Sequence, residues 1–359
     1  RNLQYTVEQM LINQVRTTKA KGGMVVVMRP NTGEVLAVAN VTVPPSPPGS
    51  LVTPAPVVAS ANMALVNVFE PGSVVKVITA AAALEQGVAD PLTRMYVPDT
   101  YALANDAIFS DAEKHQTASW NLSDILTQSS NVGTIMIAQR LQAAQLDHYL
   151  RAFGLGQKTA LAFPNESAGI LPSVSKWTKS SMGSIPIGQG VAVTAIQMLQ
   201  AFNVIAAGGE LVAPTLVAAT INSDGKAVTA PPAERRRVVS VDTAATVNQI
   251  LQRVVAEGTG KNAQIAGYTI AGKTGTARKP QDTGTYQDAQ GKFHYVSSFA
   301  GFAPAEHPQI SAIVVLDEPQ GSGPDEYFAG TVAAPLFAKV TTEALRQLQI
   351  PPSRATPAG

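Results

Sequence analysis

Phe69-Glu-Pro-Gly-Ser-Val-Val-Lys-Val-Ile-Thr79 places a hydroxyl, Ser73, three residues ahead of an amine, Lys76, at the start of an apolar run that continues to Leu84. Pro71 and Gly72 mark where a helix begins. Residues three apart on a helix share a face, with Cβ atoms roughly 5 to 6 Å apart, so the Lys76 amine can reach the Ser73 oxygen. The free N–H groups and partial positive charge of a first helical turn suit the oxyanion that forms when a hydroxyl attacks a carbonyl. This is the skeleton of a serine acyltransferase. A capping serine followed by a snorkelling lysine gives the same pattern, so other segments decide its meaning.

Two do. Ser129-Ser130-Asn131 lies between helix-like stretches, Leu122 to Gln128 and Val132 to Leu141, and offers a hydroxyl and an amide. Lys273-Thr274-Gly275-Thr276 ends a strand-like run from Tyr268 and offers a cation, two hydroxyls and a glycine. The order Ser-x-x-Lys, Ser-x-Asn, Lys-Thr-Gly is close to the set found in penicillin-binding proteins and class A β-lactamases. With these motifs the chain resembles the penicillin-binding proteins, and among them the class B, monofunctional peptidoglycan transpeptidases. The likeness extends to Leu3-Gln-Tyr-Thr-Val-Glu-Gln9, Val25 to Ala37, Phe163 to Pro172, Gly188-Gln-Gly190, Ser298 to Pro304 and Ala329 to Pro335, in the family's usual order.

The residues have separable tasks. Ser73 is the candidate nucleophile and Lys76 the nearest base, with burial among Val75, Val77 and Ile78, and repulsion from Lys273, favouring its neutral amine. Ser129 relays the proton to the departing amine. Asn131 hydrogen-bonds the substrate backbone, and as an N-cap it also suits the helix from Val132. Thr274 and Thr276, at alternate strand positions, share a face where they and Lys273 can bind a carboxylate. Gly275 lets a substrate backbone lie against the strand edge. The resemblance further implies an oxyanion hole from the N–H groups of Ser73 and Thr276, and a stem-peptide substrate ending in D-Ala-D-Ala, which β-lactams mimic. It implies no metal or organic cofactor.

The 359 residues, 45% hydrophobic, can build a large core, read here as one transpeptidase domain over 1–350 with a C-terminal tail over 351–359. A net charge of +1 gives no footprint of a nucleic-acid binder, and Arg235-Arg-Arg237 reads as a solvated loop or strand edge. With no cysteine there is no disulfide framework or thiol nucleophile. His115, His148, His294 and His307 show no pair at ligand spacing and read as ordinary surface or edge residues. No run reaches the length of a membrane helix. The resemblance implies the catalytic portion of a membrane-anchored protein, outside the cytoplasm, with a membrane-embedded glycosyltransferase and division or elongation proteins as partners.

Short apolar runs bounded by Gly, Pro and Asn predict five strands: Gly23 to Met28, Val35 to Asn40, Tyr268 to Thr276, Val296 to Ala303 and Ile310 to Leu316. Asn31-Thr-Gly33 supplies the first turn. Helices are expected over Leu3 to Thr18, Val74 to Leu84, Thr194 to Ala206 and Thr331 to Leu348, the third opened by a capping box at Thr194 and Gln197. The whole predicts an α+β sandwich, a five-stranded antiparallel sheet flanked by helices with a mostly helical subdomain. Val43 to Pro56, with six prolines, is expected to be an ordered loop. Ala277 to His294 is expected to overhang the site.

Three relatives of this chemistry share the motifs. A β-lactamase needs a carboxylate-held water, and the one obvious carboxylate, Glu166, lacks the partner asparagine because Ile170 stands there. A D,D-carboxypeptidase and a β-lactam sensor domain would use the same residues as a transpeptidase.

Overall fold

Gly22–Met28 (β1) is buried at every position, as a strand covered on both faces must be. Its side chains alternate between two cores: Met24, Val26 and Met28 face one, Val25 and Val27 the other. A computed structural model of the chain describes residues 2–50, 53–103, 107–320 and 327–353, and in it β1 lies inside a six-stranded sheet. The other strands are Val35–Thr42 (β2), Val57–Val58 (β3), Ala271–Arg278 (β4), Tyr295–Ala303 (β5) and Ile310–Asp317 (β6). Their order is β4-β5-β6-β1-β2-β3, and every pairing is antiparallel. β4, which carries Lys273 to Thr276, is an edge.

The terminal helices Asn2–Thr17 and Ala334–Gln347 cover one face. The other face meets the helices Lys76–Glu85, Leu122–Thr127, Asn131–Ala138, Ala195–Ala206 and Val241–Ala256. The α+β sandwich is therefore as expected, with a sixth strand in addition. That strand is two residues long and pairs with Val41 and Thr42 just past the proline-rich loop, too short to leave a periodic pattern.

Boundaries moved for identifiable reasons. β4 starts at Ala271 rather than Tyr268, whose N–H instead closes a turn on Ile265. The predicted C-terminal helix is two, Ala329–Val332 and Ala334–Gln347, because Pro335 has no N–H to continue a ladder and sits well at a first turn. Thr194 and Gln197 do form the capping box, and that helix ends at Ala206. Of the expected tail, Ser353 bonds Thr269 and Glu306, and residues 354–359 lie outside the described residues.

Candidate active site

Close backbone approaches fix the Ser73 turn between Gly188 and β4. Gly72 has φ +57° and donates its N–H to the Gly188 carbonyl at 3.0 Å. A Cβ on Gly188 would sit 2.2 Å from the Gly72 oxygen, so only glycine fits. A Cβ on Gly275 would sit 2.8 Å from the Pro71 oxygen and 3.0 Å from Val74 Cγ1. Gly275 thus seats the Ser73 turn on the strand, where the sequence suggested room for a substrate backbone.

Ser73 does not open an α-helix directly. Gly72–Val75 is a 3-10 turn and the α-helix begins at Lys76. At three residues per turn, positions 73 and 76 eclipse, which aligns the two side chains more closely than an α-turn would. Ser73 remains partly exposed, and among the described residues its hydroxyl makes no hydrogen bond. Lys76 is fully buried. Its Nζ donates to the Ser129 carbonyl at 2.5 Å and to Asn131 Oδ1 at 2.7 Å, and not to Ser73 as the spacing alone suggested.

Ser129 has φ +58°, the left-handed region that a residue with a side chain enters at a cost. That conformation lets one residue serve two lysines. Its carbonyl receives Lys76 and its hydroxyl receives Lys273 Nζ at 2.8 Å. Ser130, not Asn131, caps the helix Asn131–Ala138, accepting from Gly133 N at 2.8 Å. Asn131 is the first residue of that helix, and its Nδ2 donates to the Ser110 carbonyl at 2.9 Å.

Lys273 is also fully buried, with Thr274 O at 3.2 Å and Thr274 Oγ1 at 3.3 Å as further acceptors. Thr274 shares a hydrogen bond with Thr259 at 2.7 Å, and Thr276 Oγ1 accepts from Ala329 N at 3.0 Å. Burial pushes Lys76 down to about 7, with Asp111 opposing. Burial and repulsion from Lys76 hold Lys273 well below its ordinary value. Two amines in one dry pocket cannot both carry charge cheaply.

The loop after β4 does cross the site: Tyr286 Oη donates to Glu70, three residues before Ser73, at 2.9 Å. Glu70 also accepts from Gly190 N at 2.9 Å, and burial raises its pKa against those two bonds. Glu166 is buried, with Oε1 accepting from Thr159 N at 2.8 Å, while Ile170 is bonded through its backbone to Ala192.

Ser73, Lys76, Ser129, Asn131, Lys273, Thr274, Gly275 and Thr276 thus meet in one place. Residues 23–342 match the penicillin binding protein transpeptidase domain. The chain belongs to the penicillin-binding protein family. The PbpB protein of Mycolicibacterium smegmatis is 36% identical over 358 residues, 98% of this chain and 54% of that protein. Peptidoglycan D,D-transpeptidase FtsI of Escherichia coli is 31% identical over 359 residues, 99% of this chain and 56% of that protein. These similarities place this penicillin-binding protein in class B, and the chain spans about half the length of the curated relatives it matches. Penicillin-binding protein 3 of Mycobacterium tuberculosis, without ligand, superposes with a TM-score of 0.86 at 34% identity, over 98% of this chain and 79% of that one. The transpeptidase domain of Burkholderia pseudomallei penicillin-binding protein 3 gives 0.82 at 30% identity, over 98% and 96%.

Sequence reasoning missed four residues that contact the site: Glu70, Tyr286, Ser110 and Asp111. Asp111 Oδ1 accepts from Val132 N at 2.9 Å. Nothing in the local sequence ties it to a residue 21 positions later.

Proposed function

We propose that this domain is a serine D,D-transpeptidase that cross-links peptidoglycan stem peptides and is acylated at Ser73 by β-lactams. The observation that carries the reading is how Lys76 spends its donors. A neutral amine has two N–H groups and one lone pair. With both N–H groups on Ser129 O and Asn131 Oδ1, the lone pair is what remains for Ser73, one turn earlier. A pKa of about 7 keeps a large fraction of that amine neutral near neutrality.

Lys76 takes the Ser73 proton as Oγ bonds to the carbonyl carbon of the penultimate D-Ala. The carbonyl oxygen gains the charge, received by the N–H groups of Ser73 and Thr276. Collapse breaks the C–N bond. Ser129 already accepts from Lys273, so its own O–H is free to protonate the leaving D-Ala nitrogen, and Lys76 returns a proton to Ser129. An amine of a neighbouring stem peptide then attacks the ester, and its proton follows the same path back to Ser73. Lys273, Thr274 and Thr276 receive the terminal carboxylate, whose charge favours the ammonium form of Lys273 on arrival.

The substrate lies outside the cytoplasm, so we assign the domain to the outer side of the bacterial membrane. A membrane-embedded glycosyltransferase supplying glycan strands, and division or elongation proteins, are the proposed partners. Among the described residues no helix is long and apolar enough to cross a membrane.

Fluorescent penicillin should label the unaltered protein covalently and leave Ser73→Ala unlabelled. Label on the variant would refute the nucleophile. Turnover of a D-Ala-D-Ala donor that rises on adding an amine acceptor supports the transpeptidase; hydrolysis unaffected by the amine indicates a carboxypeptidase, and acylation without peptide turnover a sensor.

A further inference from the structure

Behind Asn131 lies an ion pair that the mechanism above does not use. The short hairpin of Thr100–Ala102 and Ile108–Ser110 ends at Asp111, whose side chain is 6% exposed. Ser110 and Asp111 hold consecutive parts of the same turn: Ser110 O takes Asn131 Nδ2, and Asp111 Oδ1 takes Val132 N. The other carboxylate oxygen, Oδ2, meets His115 Nε2 at 3.0 Å. His115 Nδ1 faces the Gln116 carbonyl at 2.7 Å, and the ring packs on Trp120 at 4.7 Å between centroids.

A carbonyl and an ionised carboxylate only accept, so both ring nitrogens must carry hydrogen for both bonds to form. The two acceptors favour the imidazolium form of His115. Burial pulls its pKa down, but the bonds to Gln116 and Asp111, with the charges of Asp111 and Asp99, leave it above the ordinary value. Asp99 also accepts from the His115 backbone N–H.

We infer that Asp111 and His115 are a pair of positioning residues for acylation: Asp111 fixes the turn at Asn131 on which the Lys76 amine is held, and His115 holds the Asp111 carboxylate from behind. The inference rests on Lys76 acting as the base. Asp111 is the carboxylate whose charge acts on Lys76, and Lys273, through Ser129, is the facing amine. Removing either member of the pair must then move the Lys76 titration in opposite directions. Without the carboxylate the amine sheds its proton more readily; without the imidazolium the carboxylate acts undiluted and the amine holds its proton longer.

The experiment is the rate of acylation by benzylpenicillin, followed from about pH 5 to 9, for the unaltered protein, Asp111→Asn, His115→Gln and Lys76→Ala. The amide oxygen that Asp111→Asn introduces can still accept from Val132 N, and the amide nitrogen that His115→Gln introduces can still donate to Asp111, so both variants keep one native bond. The acid limb is expected to move to lower pH in D111N and to higher pH in H115Q. A half-unit displacement reads as about a threefold rate change on that limb, up for D111N and down for H115Q. Limbs that stay put, or move the same way, while K76A loses acylation, overturn the inference and leave the base assignment standing. Normal acylation by K76A overturns both. Should a variant fail to fold, nitrogen NMR of the unaltered protein decides: two ring N–H groups on His115 at neutral pH support the pair, and a single one refutes it.

Discussion

The side-chain oxygen of Asn131 accepts from Lys76 at 2.7 Å while its nitrogen donates to the Ser110 carbonyl at 2.9 Å, so the amide is oriented from behind by the hairpin. Asn131→Asp keeps the size and replaces a neutral acceptor by a carboxylate beside the buried amine. An adjacent opposite charge favours the ammonium. Acylation at pH 7 should fall about tenfold or more and recover as pH rises, because the base is lost by protonation. A loss equal at all pH values would mean that Asn131 acts through shape alone.

Gly275→Ala tests what the glycine is for. Its methyl would meet the Pro71 oxygen at 2.8 Å, Ser298 Oγ at 2.7 Å and Val74 Cγ1 at 3.0 Å. Two of those contacts belong to the Ser73 turn, so the turn must shift away from β4. Overpacking of this kind costs about 1 to 3 kcal/mol. We expect a lower melting temperature together with slower acylation by every β-lactam, large or small. Unchanged stability with a loss confined to bulky substrates would restore the reading of Gly275 as a substrate platform.

The parts of the site legible in the sequence are those whose spacing follows from one element. Ser73 and Lys76 share a turn, and β1 reads as a strand because both its faces are buried. The sequence pattern does not report where a long side chain points after it leaves the backbone. Lys76 has the Ser129 carbonyl 53 residues away as a partner, and Lys273 reaches the Ser129 hydroxyl across 144. The motifs brought these residues together but left their atoms unpaired. Asp111 and His115 were invisible for a further reason: their segment has no periodicity, and each looks like an ordinary surface residue until the hairpin folds them under the Asn131 helix.

Lys76 should cost the protein stability in a pH-dependent way. Its folded pKa is about 7 against roughly 10.4 for an unfolded lysine. Below pH 7 both states hold the proton and the full cost of burying the ammonium is present. From there to about pH 10 the unfolded state holds more protons, so stability rises with pH. Lys76→Met removes the titration. Its stability relative to the unaltered protein, measured by urea unfolding, should be greater at pH 7 than at pH 10, by an amount on the order of a few kcal/mol. The comparison between the two pH values removes the separate loss of the bonds to Ser129 and Asn131. An identical difference at both would show that Lys76 keeps an ordinary proton affinity.

The acyl-enzyme formed with benzylpenicillin should persist. Fast deacylation needs a carboxylate and a partner that together hold a water against the ester. Glu166 is 3% exposed and gives Oε1 to Thr159 N, and the position that would supply an amide is Ile170, whose side chain is apolar and whose backbone is bonded to Ala192. Glu166→Gln should therefore leave the deacylation rate unchanged within about twofold, and because Glu166 Oε2 makes no hydrogen bond among the described residues, the exchange should not harm the fold. Intact-protein mass spectrometry over hours provides the measurement. A single penicilloyl adduct that persists in both proteins is the expected result. Rapid return of the unaltered protein to its native mass, slowed in the E166Q variant, would show that Glu166 activates water and that the domain hydrolyses the antibiotic instead of being trapped by it.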